Sequence, residues 1–142
     1  MSRAPDIVAI GDFLSTIVGV LQQYGIGAGL DDRDLERSSP TEIAVVIHVR
    51  GDLTQVGWRF PVEIARRAAT QMVPDMPLDS SILEAAASEL ANVLTGRGMM
   101  TLAAHGIQIE IEPPTVAAIP PGGVIGLLAT DLGTIKVMFS GR

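Results

Sequence analysis

Apolar positions along the chain change their period several times, and each change marks an element. Ile7, Ile10, Leu14, Ile17, Val18 and Leu21 recur at helical spacing, predicting an amphipathic helix over residues 6–24 with Gly25 as its stop. The polar run "LDDRDLERSSP" (30–40) follows, expected as a solvated loop with at most a short edge strand. "TEIAVVIHVR" (41–50) is β-branched and predicts a strand. After the turn at Gly51 and Asp52, residues 53–60 alternate Val56, Trp58 and Phe60 with Gln55, Gly57 and Arg59, which predicts a hairpin with one buried face and Trp58 in the core.

Pro61 suits the first turn of a second helix over 61–73, and Pro74 and Pro77 punctuate the link that follows. "DSS" (79–81) offers N-cap candidates for a third helix, expected from Ser81 to its stop at Gly96. "GIQIEIE" (106–112) sets Ile107, Ile109 and Ile111 against Gln108, Glu110 and Glu112, a strand expected to end at Pro113 and Pro114. "VIGLLAT" and "IKVMFSG" close the chain as a hairpin across "DLG". The order helix, hairpin, helix, then helix, strand, hairpin predicts an α+β fold with helices packed on one face of a mainly antiparallel sheet. Its core should hold Ile43, Val45, Ile47, Ile107, Ile109, Ile111 and the third helix's apolar stripe.

Composition narrows the function. With 142 residues, 47% of them hydrophobic, the chain suits one domain over 1–142 with one core. A net charge of −6 with scattered basic residues argues against nucleic acid as a partner. The absence of cysteine excludes thiol chemistry and thiolate zinc sites. His48 and His105 are expected to be structural, and "GIGAG" (25–29) lacks the lysine and spacing of a phosphate loop, so no metal or cofactor of the protein's own is expected. "MSRAPD" does not resemble a secretion signal and no apolar run is long enough to span a bilayer, so the expected location is the cytoplasm, without membrane insertion.

The candidate chemistry lies on the third helix. At 100° per residue, Ile82, Leu83, Ala86, Leu90, Val93 and Leu94 share an arc of about 120°. Glu89 sits just off its border and Asn92 about 60° further round. Their neighbours Ser81, Ala85 and Ser88 are short. A carboxylate and an amide thus stand above a low surface, which suits insertion into a partner's cleft.

"ELANVLTGRG" (89–98), followed by "GIQIEIEPPTV", resembles the CheX group of the CheC/CheX/FliY phosphatases of bacterial chemotaxis. In that family an Asp or Ser is followed after three residues by Glu, after two more by Asn, and after about 21 or 22 by Pro. Glu89 and Asn92 match, and Pro113 and Pro114 fall 21 and 22 positions after the Asn. "GDLT" (51–54) resembles the family's segment before its second helix. The chain departs from the pattern at Ala85, which stands at the Asp/Ser position, at Gln55, where Gly is usual, and at Arg97 in the segment after the Asn. The first helix lacks a second Glu–Asn pair, which resembles the one-site CheX arrangement.

The resemblance implies hydrolysis of the aspartyl phosphate on a CheY-like response regulator that supplies its own Mg²⁺ and lysine. By that resemblance Asn92 orients the attacking water and Glu89 pairs with the regulator's lysine. Ala85, Ser88 and Gly96 form the partner-binding surface, small enough to let the helix approach. It also implies a homodimer. Two other readings stay open: a non-catalytic module that binds receiver domains or flagellar-switch components, and a purely structural α+β domain.

Overall fold

The computed structural model describes residues 5–29 and 41–141. The elements run α1 (Ile7–Gln23), β1 (Ala28–Gly29), β2 (Glu42–Gly51), β3 (Leu53–Pro61), α2 (Val62–Met72), α3 (Ser80–Ala104), β4 (Ile109–Val116), β5 (Val124–Thr130) and β6 (Gly133–Gly141). The six strands form one antiparallel sheet in the order β1-β5-β6-β3-β2-β4. This is the expected α+β architecture. The "LDDRDLERSSP" segment expected as a loop lies outside the described residues.

One face of the sheet carries the core. Val45, Ile47 and Val49 of β2, Val56, Trp58 and Phe60 of β3, and Ile135, Val137 and Phe139 of β6 are all buried and join the apolar stripes of the three helices in a single cluster. The chain's three phenylalanines and its one tryptophan concentrate there. Phe13 packs edge-on to Phe139 with centroids 5.0 Å apart, and Trp58 stacks on Phe60 at 5.6 Å, both arrangements that aromatic quadrupoles favour. Val45, Ile47 and Ile107 are in the core as expected, while Ile43, Ile109 and Ile111 are half-buried against it. Ile7 is 86% exposed instead of core, because α1 turns Ala9, Ile10, Phe13, Leu14 and Ile17 inward.

Two expected stops are not stops. α3 runs 25 residues, straight through Gly96 and Gly98, and ends at Ala104. Gly98 serves close packing: a Cβ there would lie 2.0 Å from Phe13 Cε2, so only glycine lets α1 and α3 approach this closely. The true terminus is the turn at His105 and Gly106, where Gly106 has φ 81° and the Gly106 and Ile107 amides donate to Ala103 and Leu102 carbonyls. Likewise β4 continues through Pro113 and Pro114 to Val116. β4 is an edge strand paired only with β2, so missing amide donors can be accommodated, and its register slips between Ile47 and Val49 of β2.

The opposite face of the sheet is not left wholly to solvent either. Residues 117–123 link β4 to β5 across it, and Ala117 N donates to Ala44 O at 3.2 Å. Ile119 sits on Gly57, where a Cβ would come within 2.6 Å of its Cγ2. Gly57 and Gln55, expected to face solvent, are buried in consequence of β3's central place in the sheet and, for Gly57, of this strap. Arg59 remains exposed. Among the described residues no helix is long and apolar enough to cross a membrane.

Candidate functional site

α3 is the element that presents Glu89 and Asn92, and it is held at both ends and in the middle. Asp79 caps its N-terminus, accepting from Ile82 N at 3.0 Å and from Ser81 Oγ at 2.8 Å. Those two donors hold the Asp79 carboxyl below its usual value of 3.8. In the middle, Trp58 Nε1 donates to Thr95 Oγ1 at 2.9 Å, and both residues are fully buried. Toward the C-terminus the Thr16 and Thr101 hydroxyls meet at 2.7 Å, and His105 Nε2 lies 2.8 Å from Asp12 Oδ2, tying α3 to α1.

The β2–β3 turn adds a clamp just beyond the helix. Asp52 Oδ2 accepts from Gln108 N at 2.8 Å, and Asp52 N donates to Gln108 O at 2.9 Å. Gly51, at φ 116°, would bring a Cβ within 2.3 Å of the Gln108 carbonyl oxygen, so the turn fits only without a side chain there. The "GD" of "GDLT" therefore fixes where α3 leads into β4.

Against this anchoring, the outward edge of α3 is low and free. Ala85 and Glu89 are exposed, and Ser88, Asn92 and Gly96 are half-buried. Successive turns of one helix face carry Ala85, Glu89, Asn92 and Gly96, so the expected residues share one ridge. Glu89 and Asn92 are three apart, with Cβ atoms about 5–6 Å from each other by helix geometry. Neither side chain has an ion-pair or hydrogen-bond partner among the described residues. Gly96 is not demanded by this chain's own packing, since a Cβ there would only touch Ile111 Cδ1 at 3.7 Å. Arg97 is exposed and lies within α3, not in a loop after it.

The buried arc of α3 is wider than the expected stripe. Ala87, Ala91, Thr95, Gly98 and Leu102 are buried along with Leu83, Ala86, Leu90 and Leu94, whereas Ile82 and Val93 are half-buried. Covering by Phe13 and Trp58 moves the centre of the buried face away from Asn92, which leaves the ridge pointing outward. None of the ridge residues lines the cavity of about 380 Å³ at Arg50, Gly51, Gln108, Ile109 and Glu110. There Arg50 is already neutralised by Glu110 at 3.1 Å and Glu112 at 3.7 Å.

The histidines behave separately: His48 is exposed on β2, and His105 closes α3. No group of three or more His, Cys, Asp or Glu among the described residues could hold a metal ion. Thr95 and the Asp52 clamp were not legible as site-forming residues. The only sequence hint of the clamp was the Gly-Asp turn, and Thr95 left none.

No protein-family model matches the chain, and no curated protein matches it in sequence. Solved structures do match its shape. The CheX chemotaxis protein of Desulfovibrio desulfuricans shares 18% identity at a TM-score of 0.71, covering 96% of this chain and 100% of that one. CheX of Vibrio vulnificus shares 16% identity at a TM-score of 0.72, covering 99% of this chain and 100% of that one. The chain is also similar to a structure of the CheX–CheY–BeF3–Mg²⁺ complex from Borrelia burgdorferi, with 18% identity, a TM-score of 0.62 and 99% of each chain covered. The fold resemblance read from "ELANVLTGRG" is thereby borne out: this chain has the fold of the CheX and CheC-like chemotaxis proteins.

Proposed function

We propose that this protein is a CheX-type phosphatase that hydrolyses the aspartyl phosphate of a CheY-like response regulator. The observation that carries the reading is the Glu89–Asn92 pair, without a partner among the described residues, on the outward ridge of a helix anchored at both ends and in its middle. A ridge enters a cleft; it does not enclose a small substrate. The similarity to CheX solved with CheY supports a receiver domain as the partner.

The chemistry asked of the ridge is modest. An acyl phosphate is already activated, and the reaction needs an in-line water and stabilised charge. In this mechanism the Asn92 amide oxygen accepts a hydrogen bond from water and holds it opposite the leaving carboxylate. The water oxygen bonds to phosphorus, the bond from phosphorus to the aspartyl oxygen breaks, and the regulator's carboxylate and inorganic phosphate are released. The water's proton passes to the phosphate product or to solvent. Glu89 pairs with a regulator lysine and sets the docking angle. In this mechanism the magnesium ion belongs to the regulator. Ala85, Ser88 and Gly96 keep the ridge low enough for close approach. The reading includes a homodimer formed through a sheet edge, which sedimentation velocity would detect as twice the 14.9 kDa mass.

The test is regulator dephosphorylation followed by phosphate release. Asn92→Ala should retain binding and slow turnover by about 10²-fold, the scale of a misplaced reacting group. Glu89→Ala should weaken binding as well as rate. Wild-type turnover by Asn92→Ala at equal occupancy would remove Asn92 from the chemistry, and a wild-type chain that binds the regulator without speeding phosphate release would favour the non-catalytic binding module.

A further inference from the structure

The second face of the sheet, away from the helices, holds a feature that the proposed chemistry does not use. On it β3 and β6 set Arg59 directly opposite Lys136. The neighbouring row sets Gly57, Met138 and Ile125 side by side across β3, β6 and β5. The strap 117–123 passes above, seated by Ile119 on Gly57. Between strap and sheet lies a cavity of about 160 Å³ lined by Gly57, Arg59, Ile119, Ile125, Lys136 and Met138.

The charges there are unbalanced. Like charges directly opposite on adjacent strands repel. Neither Arg59 nor Lys136 has an ion-pair or hydrogen-bond partner among the described residues, and no carboxylate lines the cavity. Glu42, further along the same face of β2, makes no pair with either, and its Oε2 lacks any hydrogen-bond partner. In a chain of net charge −6, two cations without a partner among the described residues face each other over an apolar floor. Ile125, 54% exposed, adds an apolar wall beside Ile119 and Met138.

We propose that this pocket binds a small amphiphilic anion. Its carboxylate or phosphate group sits between Arg59 and Lys136, and its apolar body lies on Ile119, Ile125 and Met138. The guanidinium supplies a planar fork for two parallel hydrogen bonds and the ammonium a point charge. Met138 adapts its flexible thioether to the apolar body. Size restricts the class. The cavity has room for about five waters at ~30 Å³ each, which admits a short acyl chain, whereas pockets for larger cofactors start at about 300 Å³.

The test titrates the full chain with octanoate and octyl phosphate, followed by amide chemical shifts, with octanol and inorganic phosphate as probes lacking one half of the chemistry. The expected result is saturable shifts confined to β3, β5, β6 and the strap, with Kd on the order of 0.1–1 mM for a ligand of this size. Octanol and inorganic phosphate should bind at least about tenfold more weakly, because each forfeits one of the two contacts. Whichever of octanoate and octyl phosphate binds tighter identifies the headgroup. The double variant R59Q/K136Q changes two side chains that have no partner among the described residues, and it should fold normally by circular dichroism while losing about tenfold or more in octanoate affinity. Absence of saturable shifts up to about 10 mM, undiminished binding by the double variant, or shifts centred elsewhere would overturn the proposal. No regulator enters the experiment, so its outcome is independent of the phosphatase reading.

Discussion

Gly96 and Gly98 are two residues apart in one helix, and alanine at each should move stability in opposite directions. Helix propensity alone favours alanine over glycine by about 1 kcal/mol at both sites. At Gly96 the added methyl meets only Ile111 Cδ1 at 3.7 Å, ordinary contact, so Gly96→Ala should gain most of that about 1 kcal/mol. At Gly98 the methyl would lie 2.0, 2.4 and 2.6 Å from Phe13 Cε2, Cδ2 and Cζ. Ordinary carbon contacts fall at about 3.5–4.0 Å, so the ring must retreat by roughly 1.5 Å. It has nowhere to go. Phe13 is fully buried, with the Phe139 ring centroid at 5.0 Å and that of Trp58 at 5.9 Å. Overpacking of this kind costs about 3 kcal/mol or more, which outweighs the propensity gain and leaves a net loss of about 2 kcal/mol. Urea unfolding of the two variants would read both signs, and the loss at Gly98 corresponds to a fall in Tm of about 5–10 °C. Pairing Gly98→Ala with Phe13→Leu should recover part of the loss through direct coupling. If Gly98→Ala proves as stabilising as Gly96→Ala, the packing account of the unbroken α3 is wrong.

Other expectations follow from the same anchoring. Thr95→Val keeps the shape but strands the buried Trp58 N–H, and should cost about 1–3 kcal/mol in chemical unfolding, while Thr95→Ser should retain most of the wild-type stability. Asp79 has a folded-state pKa below its ordinary value, so its contribution is present above 3.8 and is lost as pH falls through the lowered folded pKa. Asp79→Asn should flatten that part of the acid limb of a stability–pH profile, and superimposable acid limbs would refute it. Ala85→Leu raises the exposed ridge without altering charge, and under the proposed function should weaken regulator binding in a pulldown or titration while leaving the Tm within about 2 °C of wild type, as expected of a surface change.

Local periodicity was enough to determine the elements and the flank of α3 on which Glu89 and Asn92 stand. The 3.6-residue spacing of α1 and α3, the alternation around Trp58 and the β-branched run of β2 are intrinsic to the chain, and they survive folding because each apolar set meets another. Glu89 and Asn92 three apart on a helix flank share a ridge by helix geometry alone, whatever the helix packs against. Termini and exposure were a different matter. Gly98 looks like a stop until Phe13, 85 positions earlier, is seen to occupy the space its side chain would need. Pro113 and Pro114 look like breakers until β4 is found at a sheet edge, where an absent donor matters less. Gly57 and Gln55 looked solvated until β3 took a central place in the sheet with a strap over Gly57. The Thr95–Trp58 hydrogen bond, the Asp52 clamp on Gln108 and the Arg59–Lys136 juxtaposition all join residues distant in sequence. Side-chain period is a local property of the backbone, whereas close approach, strand order and charge pairing exist only once distant segments share the same space.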